Sequence, residues 1–197
     1  MAFGGSDQVS DTSVIPTSIK IVVAGGFGVG KTTMVNSVSE IPPLRTEEVL
    51  TEASVGIDDM VGIESKETTT VALDFGRITI NSRVVLYLFG TPGQNRFWFM
   101  WDELAMGALG AIVLVDTRRL DSSFPSIDFF EHRNIPFIVA VNGFEGTWPH
   151  TENEVRQALD LDDTVPIIRC DVRERESSKD VLVELVQYTM SQLSAGV

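Results

Sequence analysis

The chain has 197 residues, 43% of them hydrophobic, which suits one buried core of ordinary size and a single α/β domain. With 28 Asp and Glu against 15 Lys and Arg the net charge is -13, so no basic field is available to neutralise a nucleic-acid backbone, and nucleic acid is not an expected partner. One cysteine, Cys170, no apolar run of membrane-spanning length and no lipidation signal point to a reduced, cytoplasmic protein that would reach a membrane only through partners.

Residues 1–16 are rich in Gly, Ser, Thr and Asp and read as a flexible tail, which leaves 17–197 as the folded domain. Ile19 to Ala24 is the first predicted strand and Lys31 to Ser39 the first helix. Glu40 to Thr69 is polar, acidic and weakly patterned, longer than connections usually are, and reads as a functional loop. Val71–Ile80 and Arg83–Phe89 flank the short polar break Asn81-Ser82, as in a hairpin. Gly110–Asp116, Pro136–Asn142 and Val165–Cys170 read as buried strands, giving six in all. Thr151 with Glu154 and Ser177 with Asp180 have the spacing of capping boxes, opening helices over Glu152–Leu161 and Ser178–Leu193.

Gly25-Gly26-Phe27-Gly28-Val29-Gly30-Lys31-Thr32 satisfies G-x-x-x-x-G-K-[ST] between a strand and a helix. Glycines let successive N–H groups converge on phosphate oxygens, and the helix adds its positive dipole end. Lys31 reaches the β/γ-phosphates, the Thr32 hydroxyl ligates Mg²⁺, and Thr33 extends the binding set. After the hairpin, Asn95-Arg96-Phe97-Trp98-Phe99-Met100-Trp101 is dense in large apolar groups. Helical spacing puts Phe97, Trp101 and Leu104 on a core face and points Trp98 and Phe99 elsewhere, toward a partner-binding patch or a further part of the core, which look alike in sequence. His132 and His150 lack neighbouring ligands, so no metal other than Mg²⁺ is expected.

The phosphate loop, Thr70-Val71-Ala72-Leu73-Asp74-Phe75, Thr91-Pro92-Gly93-Gln94 and Asn142-Gly143-Phe144-Glu145 follow one another in an order and spacing that resemble the Ras superfamily over Ile19 to Leu193. Within it the chain is most similar to the bacterial MglA-type group and the conservon GTPases. The resemblance implies a three-layer α/β P-loop fold, a six-stranded mostly parallel sheet with helices on both faces, binding GTP/GDP with Mg²⁺. It implies that Thr70, with Thr68 and Thr69 as neighbours in register, is the switch threonine that meets the γ-phosphate and Mg²⁺. It further implies that the Gly93 N–H meets the γ-phosphate and that Gln94 orients the attacking water. Phe89-Gly90 departs from the family, which has a Mg²⁺-supporting aspartate there. Asp58, Asp59 and Asp74 are the nearby carboxylates, and restoring one at Gly90 is expected to lower the Mg²⁺ needed.

Asn142 and Glu145 stand where N-K-x-D reads guanine, with Gly143 in place of the lysine. Asp171 and Val172 occupy the last base-contacting loop, and Arg173 is a candidate to cover the base. By the same resemblance the chain is a slow GTPase with no arginine identifiable in cis, stimulated by a partner, and the partners are a Roadblock-type dimer and a sensor-kinase complex. A nucleotide-binding scaffold and a P-loop ATPase are the alternatives; against a partitioning ATPase, Gly26 stands where those enzymes carry an extra lysine.

Overall fold

The computed structural model describes residues 15–42, 44–50, 69–93 and 95–195. The first strand, β1 (Thr17–Gly25), is buried over Ile21–Ala24, the signature of a central strand covered on both faces. It leads through the glycine-rich loop into α1 (Lys31–Val38). Next come β2 (Leu44–Leu50), β3 (Thr69–Asn81) and β4 (Val84–Gly90), successive antiparallel neighbours. A 3₁₀ run over Asn95–Met100 continues into α2 (Trp101–Ala105). The rest alternates: β5 (Gly110–Val115), α3 (Phe124–His132), β6 (Phe137–Asn142), α4 (Glu152–Ala158), β7 (Ile167–Cys170) and α5 (Arg175–Ala195).

The sheet has seven strands in the order β2-β3-β4-β1-β5-β6-β7, with parallel pairing from β4 through β7. The expected three-layer α/β architecture is present, with one strand more than the sequence suggested. Leu44–Leu50 pairs with Thr69–Phe75 inside the stretch read as loop. Its sequence, with Arg45, Thr46, Glu47 and Glu48 in succession, has no apolar alternation to betray it, as suits a sheet edge. One apolar layer lies between the sheet and α1 with α5, built on Ile21, Val23, Met34, Ile112, Leu114 and Leu185. The other lies under α2, α3 and α4 around Val22, Val113, Trp101, Phe130 and Leu159.

Local signals were uneven. Thr151 caps α4 as expected: its hydroxyl accepts from the Glu154 N–H while the Glu154 carboxylate accepts from the Thr151 N–H at 2.7 Å. The second expected cap is not one. Ser177 lies inside α5, which begins at Arg175, and its hydroxyl instead accepts from the Asp171 N–H at 3.0 Å. Helix α3 carries no side-chain cap to announce it. Among the described residues no helix is long and apolar enough to cross a membrane.

Candidate functional site

The carboxyl ends of β1, β4, β6 and β7 converge on one edge of the sheet, beside the point where the chain leaves β1 with neighbours on either side. This is where open α/β sheets place ligands. The loop from β1 to α1 holds Gly25, Gly28 and Gly30 at φ 134°, 75° and 111°, open to glycine alone without strain. Gly30 is also confined in space: a Cβ there would lie 2.9 Å from Val172 Cγ2 and 3.0 Å from Asn142 Nδ2. Helix α1 opens without a side-chain cap, so its first N–H groups are left for an anion.

Lys31 is 7% exposed, and its ammonium donates to the carbonyls of Gly25 and Gly26, each at 2.8 Å. Burial pushes the ammonium down to about 8, against the raising influence of the Asp74 charge. Among the described residues no carboxylate forms an ion pair with it. A buried cation held by two neutral carbonyls beside a ring of glycine backbone fits a phosphate ligand. Gly93 closes this cradle from the end of β4: a Cβ there would be 2.8 Å from Lys31 Nζ and 3.0 Å from Phe27 Cα. Phe27, in the middle of the loop, is 68% exposed, whereas Val29 is buried.

A carboxylate stands beside Gly90 on the neighbouring strand. Asp74 of β3 pairs directly across from Gly90 of β4, and the Thr32 hydroxyl donates to its Oδ2 at 2.6 Å. A Cβ at Gly90 would lie 2.9 Å from the Asp74 Cβ and 3.0 Å from its Oδ2, so the glycine is the space the aspartate occupies. A threonine hydroxyl bonded to a carboxylate at the mouth of a phosphate loop fits a divalent cation that takes its remaining ligands from phosphate and water, as Mg²⁺ does. Among the described residues there is no cluster of three or more His, Cys, Asp or Glu to serve as an all-protein cage.

On the far side, the Asn142 Nδ2 donates to the Val29 carbonyl at 3.0 Å while its Oδ1 accepts from the Val172 N–H at 3.3 Å. Asn142 thus ties the β6 loop to the phosphate loop and to the loop after β7. The Val172 N–H is engaged in that tie. Asp171 holds Arg173 in a two-pronged ion pair with Nη2 at 2.6 Å, so its carboxylate lies below the usual range. Gly28, Thr33, Asn142, Phe144, Val172 and Arg173 line a cavity of about 170 Å³. Gly143 cannot carry a side chain as placed, because a Cβ would overlap the Trp148 indole, whose N–H donates to the Val141 carbonyl at 3.1 Å. No motif or spacing pointed to this tryptophan.

Thr70 lies in β3 opposite Val49, a strand residue in this arrangement. Gln94, Thr68, Asp58 and Asp59 lie outside the described residues, and Glu145 belongs to a short 3₁₀ turn after Gly143. The aromatic run differs from the reading of an α-helix. Asn95–Met100 is 3₁₀ and runs into α2 at Trp101, and Trp98 lies flat on the Trp101 ring with centroids 4.7 Å apart. Trp98 therefore joins the apolar layer, and Phe99, 61% exposed, is the residue left outward. Cys170 is buried and its thiol is pushed up to about 12, chiefly by desolvation, in keeping with a small apolar filler.

Residues 23–192 match the family model described as "Conserved hypothetical ATP binding protein". An uncharacterised protein of Methanocaldococcus jannaschii, MJ1339, is 31% identical over 126 residues, which span 63% of this chain and 69% of that protein. Among solved structures the G domain of the T. maritima FeoB iron transporter aligns at 16% identity with a TM-score of 0.60, covering 87% of this chain and 99% of that one. The Arl6 BBS3 small GTPase from Trypanosoma brucei, with the bound nucleotide analogue GppNp, aligns at 19% identity with a TM-score of 0.61, covering 89% and 99%. At these identities the structural likeness shows the fold alone, the three-layer α/β arrangement described above.

Proposed function

The chain belongs to the family of conserved hypothetical ATP binding proteins, and from that premise we propose that it is a guanine-nucleotide switch with slow, Mg²⁺-dependent hydrolysis. The observation that carries the reading is the buried Lys31 ammonium held inside the glycine cradle, next to the Thr32–Asp74 hydrogen bond. Gly25 to Thr33 wrap the phosphates, Lys31 neutralises the β/γ oxygens, and the Gly93 N–H meets the γ-phosphate. Thr32 would ligate Mg²⁺, with Asp74 orienting Thr32 and adding its charge, and Thr70 would be the second ligand in the triphosphate state. When bound, Mg²⁺ supplies positive charge at the β- and γ-phosphate oxygens. Gln94 orients the water for attack, and hydrolysis is slow until a partner stimulates it.

Glu145 is proposed to pair with the guanine N1–H and N2–H₂, with Asn142 bracing the loop and Asp171 and Val172 forming the opposite wall. ATP is the second reading, favoured by the family's description. By the resemblance of its sequence motifs, the protein would work in the cytoplasm, in bacterial signalling or polarity, through a Roadblock-type dimer and a sensor-kinase complex that brings it to the membrane. Titration with guanine and adenine nucleotides in Mg²⁺, followed by phosphate release, tests the reading. Guanine binding with slow release supports it, tight binding without release makes the protein a scaffold, and adenine preference makes it an ATPase.

A further inference from the structure

We propose that Arg119 acts in cis on the phosphates of the bound triphosphate, as a positive charge that the chain itself brings to the transition state. The proposal rests on the nucleotide-hydrolysing reading above. Asp116, the residue after β5, is 1% exposed, and a carboxylate so deeply buried requires charged partners. Arg118 donates to it through Nε and Nη2, each at 2.9 Å, and Arg119 adds its Nη2 at 3.4 Å. Hydrogen bonds from Arg118 first, and then Arg119, hold the carboxyl below its usual range. One buried anion thus anchors Arg118 and keeps Arg119 beside it on a longer contact.

Both arginines face the site. The Arg119 Nη2 also donates to the carbonyl of Phe27 at 3.3 Å, and a Cβ on Gly28 would lie 3.7 Å from it. Ser122 of the same segment sits against Gly26, where a Cβ would overlap its hydroxyl. The segment 116–122 is therefore laid along the outer wall of the phosphate loop. Arg118 lies over the Phe144 ring, 3.8 Å from its centroid, and Phe144 lines the cavity beside Asn142. One arginine covers the base loop and the other covers the phosphate loop.

Arg119 is half exposed, and both of its contacts are long for charge-assisted hydrogen bonds. A guanidinium so loosely held on a carbonyl, with phosphate expected on the N–H side of the same loop, exchanges a weak acceptor for a strong one by rotating its side chain. Guanidinium also matches phosphate geometry as a fork, which ammonium cannot. In hydrolysis the water oxygen bonds to the γ-phosphorus and the bond to the β,γ-bridging oxygen breaks. The electron pair stays on the β-phosphate, and a water proton passes to a γ-phosphoryl oxygen. Arg119 neutralises the charge that gathers on the bridging oxygen. The chain then supplies this charge itself, and a partner need not provide an arginine.

The test compares the full chain with Arg119→Ala and Arg119→Lys. The measurements are nucleoside di- and triphosphate affinity, partner-free single-turnover hydrolysis in Mg²⁺, and capture of fluoroaluminate on the diphosphate complex. The expected result is that Arg119→Ala binds both nucleotides within about threefold of the parent, hydrolyses roughly 10- to 100-fold more slowly and captures no fluoroaluminate, with Arg119→Lys restoring little. Equal turnover and capture in the variant overturn the proposal. So does an equal loss of di- and triphosphate affinity, which would make Arg119 a brace of the loop. Those outcomes, in a parent that hydrolyses, overturn this proposal alone, whereas a parent that binds nucleotide without hydrolysing it, or that binds none, overturns the reading beneath it.

Discussion

Moving the metal-supporting carboxylate tests the role assigned to Asp74. Its Oδ2 accepts from the Thr32 hydroxyl at 2.6 Å, a hydrogen bond to a charged group and so worth about 1.5–3 kcal/mol. Partners one shell out from a metal typically change its affinity by about 10- to 100-fold, and the two magnitudes agree. Asp74→Ala should therefore raise the Mg²⁺ concentration for half-maximal nucleotide retention by about 10- to 100-fold, and Asp74→Asn, which keeps an acceptor but no charge, by about tenfold. Gly90→Asp alone should not help, contrary to the expectation from sequence, because its Cβ would sit 2.9 Å from that of Asp74 and force two carboxylates together. The paired exchange Asp74→Gly with Gly90→Asp, which swaps the two opposed positions, should return the Mg²⁺ requirement to within about tenfold of the parent. Dissociation of a fluorescent guanine nucleotide across a Mg²⁺ series reads all four. An Asp74→Ala variant with the parent's Mg²⁺ dependence would refute the reasoning, as would an exchange no better than Asp74→Gly by itself.

The ammonium form of Lys31 is the one that binds phosphate, and with its proton leaving near 8 in the free protein, triphosphate affinity should fall about fourfold between pH 7 and 8.5. A Lys31→Met variant should bind weakly and without that slope; a parent with a flat profile contradicts the buried-ammonium assignment. Glu145→Ala should weaken guanine nucleotides by about 10- to 100-fold and adenine nucleotides little, since a charge-assisted pair is lost only with guanine, as competition titration would show. Trp98→Ala should cost about 2–4 kcal/mol in urea unfolding, because its ring stacks on the buried Trp101, while Phe99→Ala should stay within about 0.5 kcal/mol. Similar unfolding midpoints for the two variants would contradict the 3₁₀ geometry of that segment.

The phosphate loop is legible in the sequence because its chemistry is local: glycines, Lys31 and Thr32 are consecutive, and the strand and helix around them have strong periodicities. The role of Asp74 is not legible, and the reason is register. A hairpin closing on Asn81-Ser82 would set Asp74 opposite Phe89, whereas the strands close one residue later, with Asn81 opposite Val84, and an irregularity between Thr79 and Asn81 then takes up one residue and sets Asp74 opposite Gly90. A one-residue step changes the face on which a side chain emerges, and nothing local to Asp74 records it. Trp148 is hidden for the same kind of reason, since its ring fills the space above Gly143 from five residues away. Trp98 is misplaced by helical spacing because a period of 3.6 does not hold where the chain winds at three residues per turn. The arginines at 118 and 119 match no motif, and only the burial of Asp116 shows what holds them.

The most direct test of the nucleotide-switch reading is calorimetric titration of the full chain with GDP, GTP, ADP and ATP, each with and without Mg²⁺. The predicted result is one site per chain, guanine nucleotides favoured over adenine, triphosphate affinity strengthened by Mg²⁺, and all binding heat lost in Lys31→Ala with the fold retained. Absence of binding by the parent, or binding that survives Lys31→Ala at the parent's affinity, would contradict it.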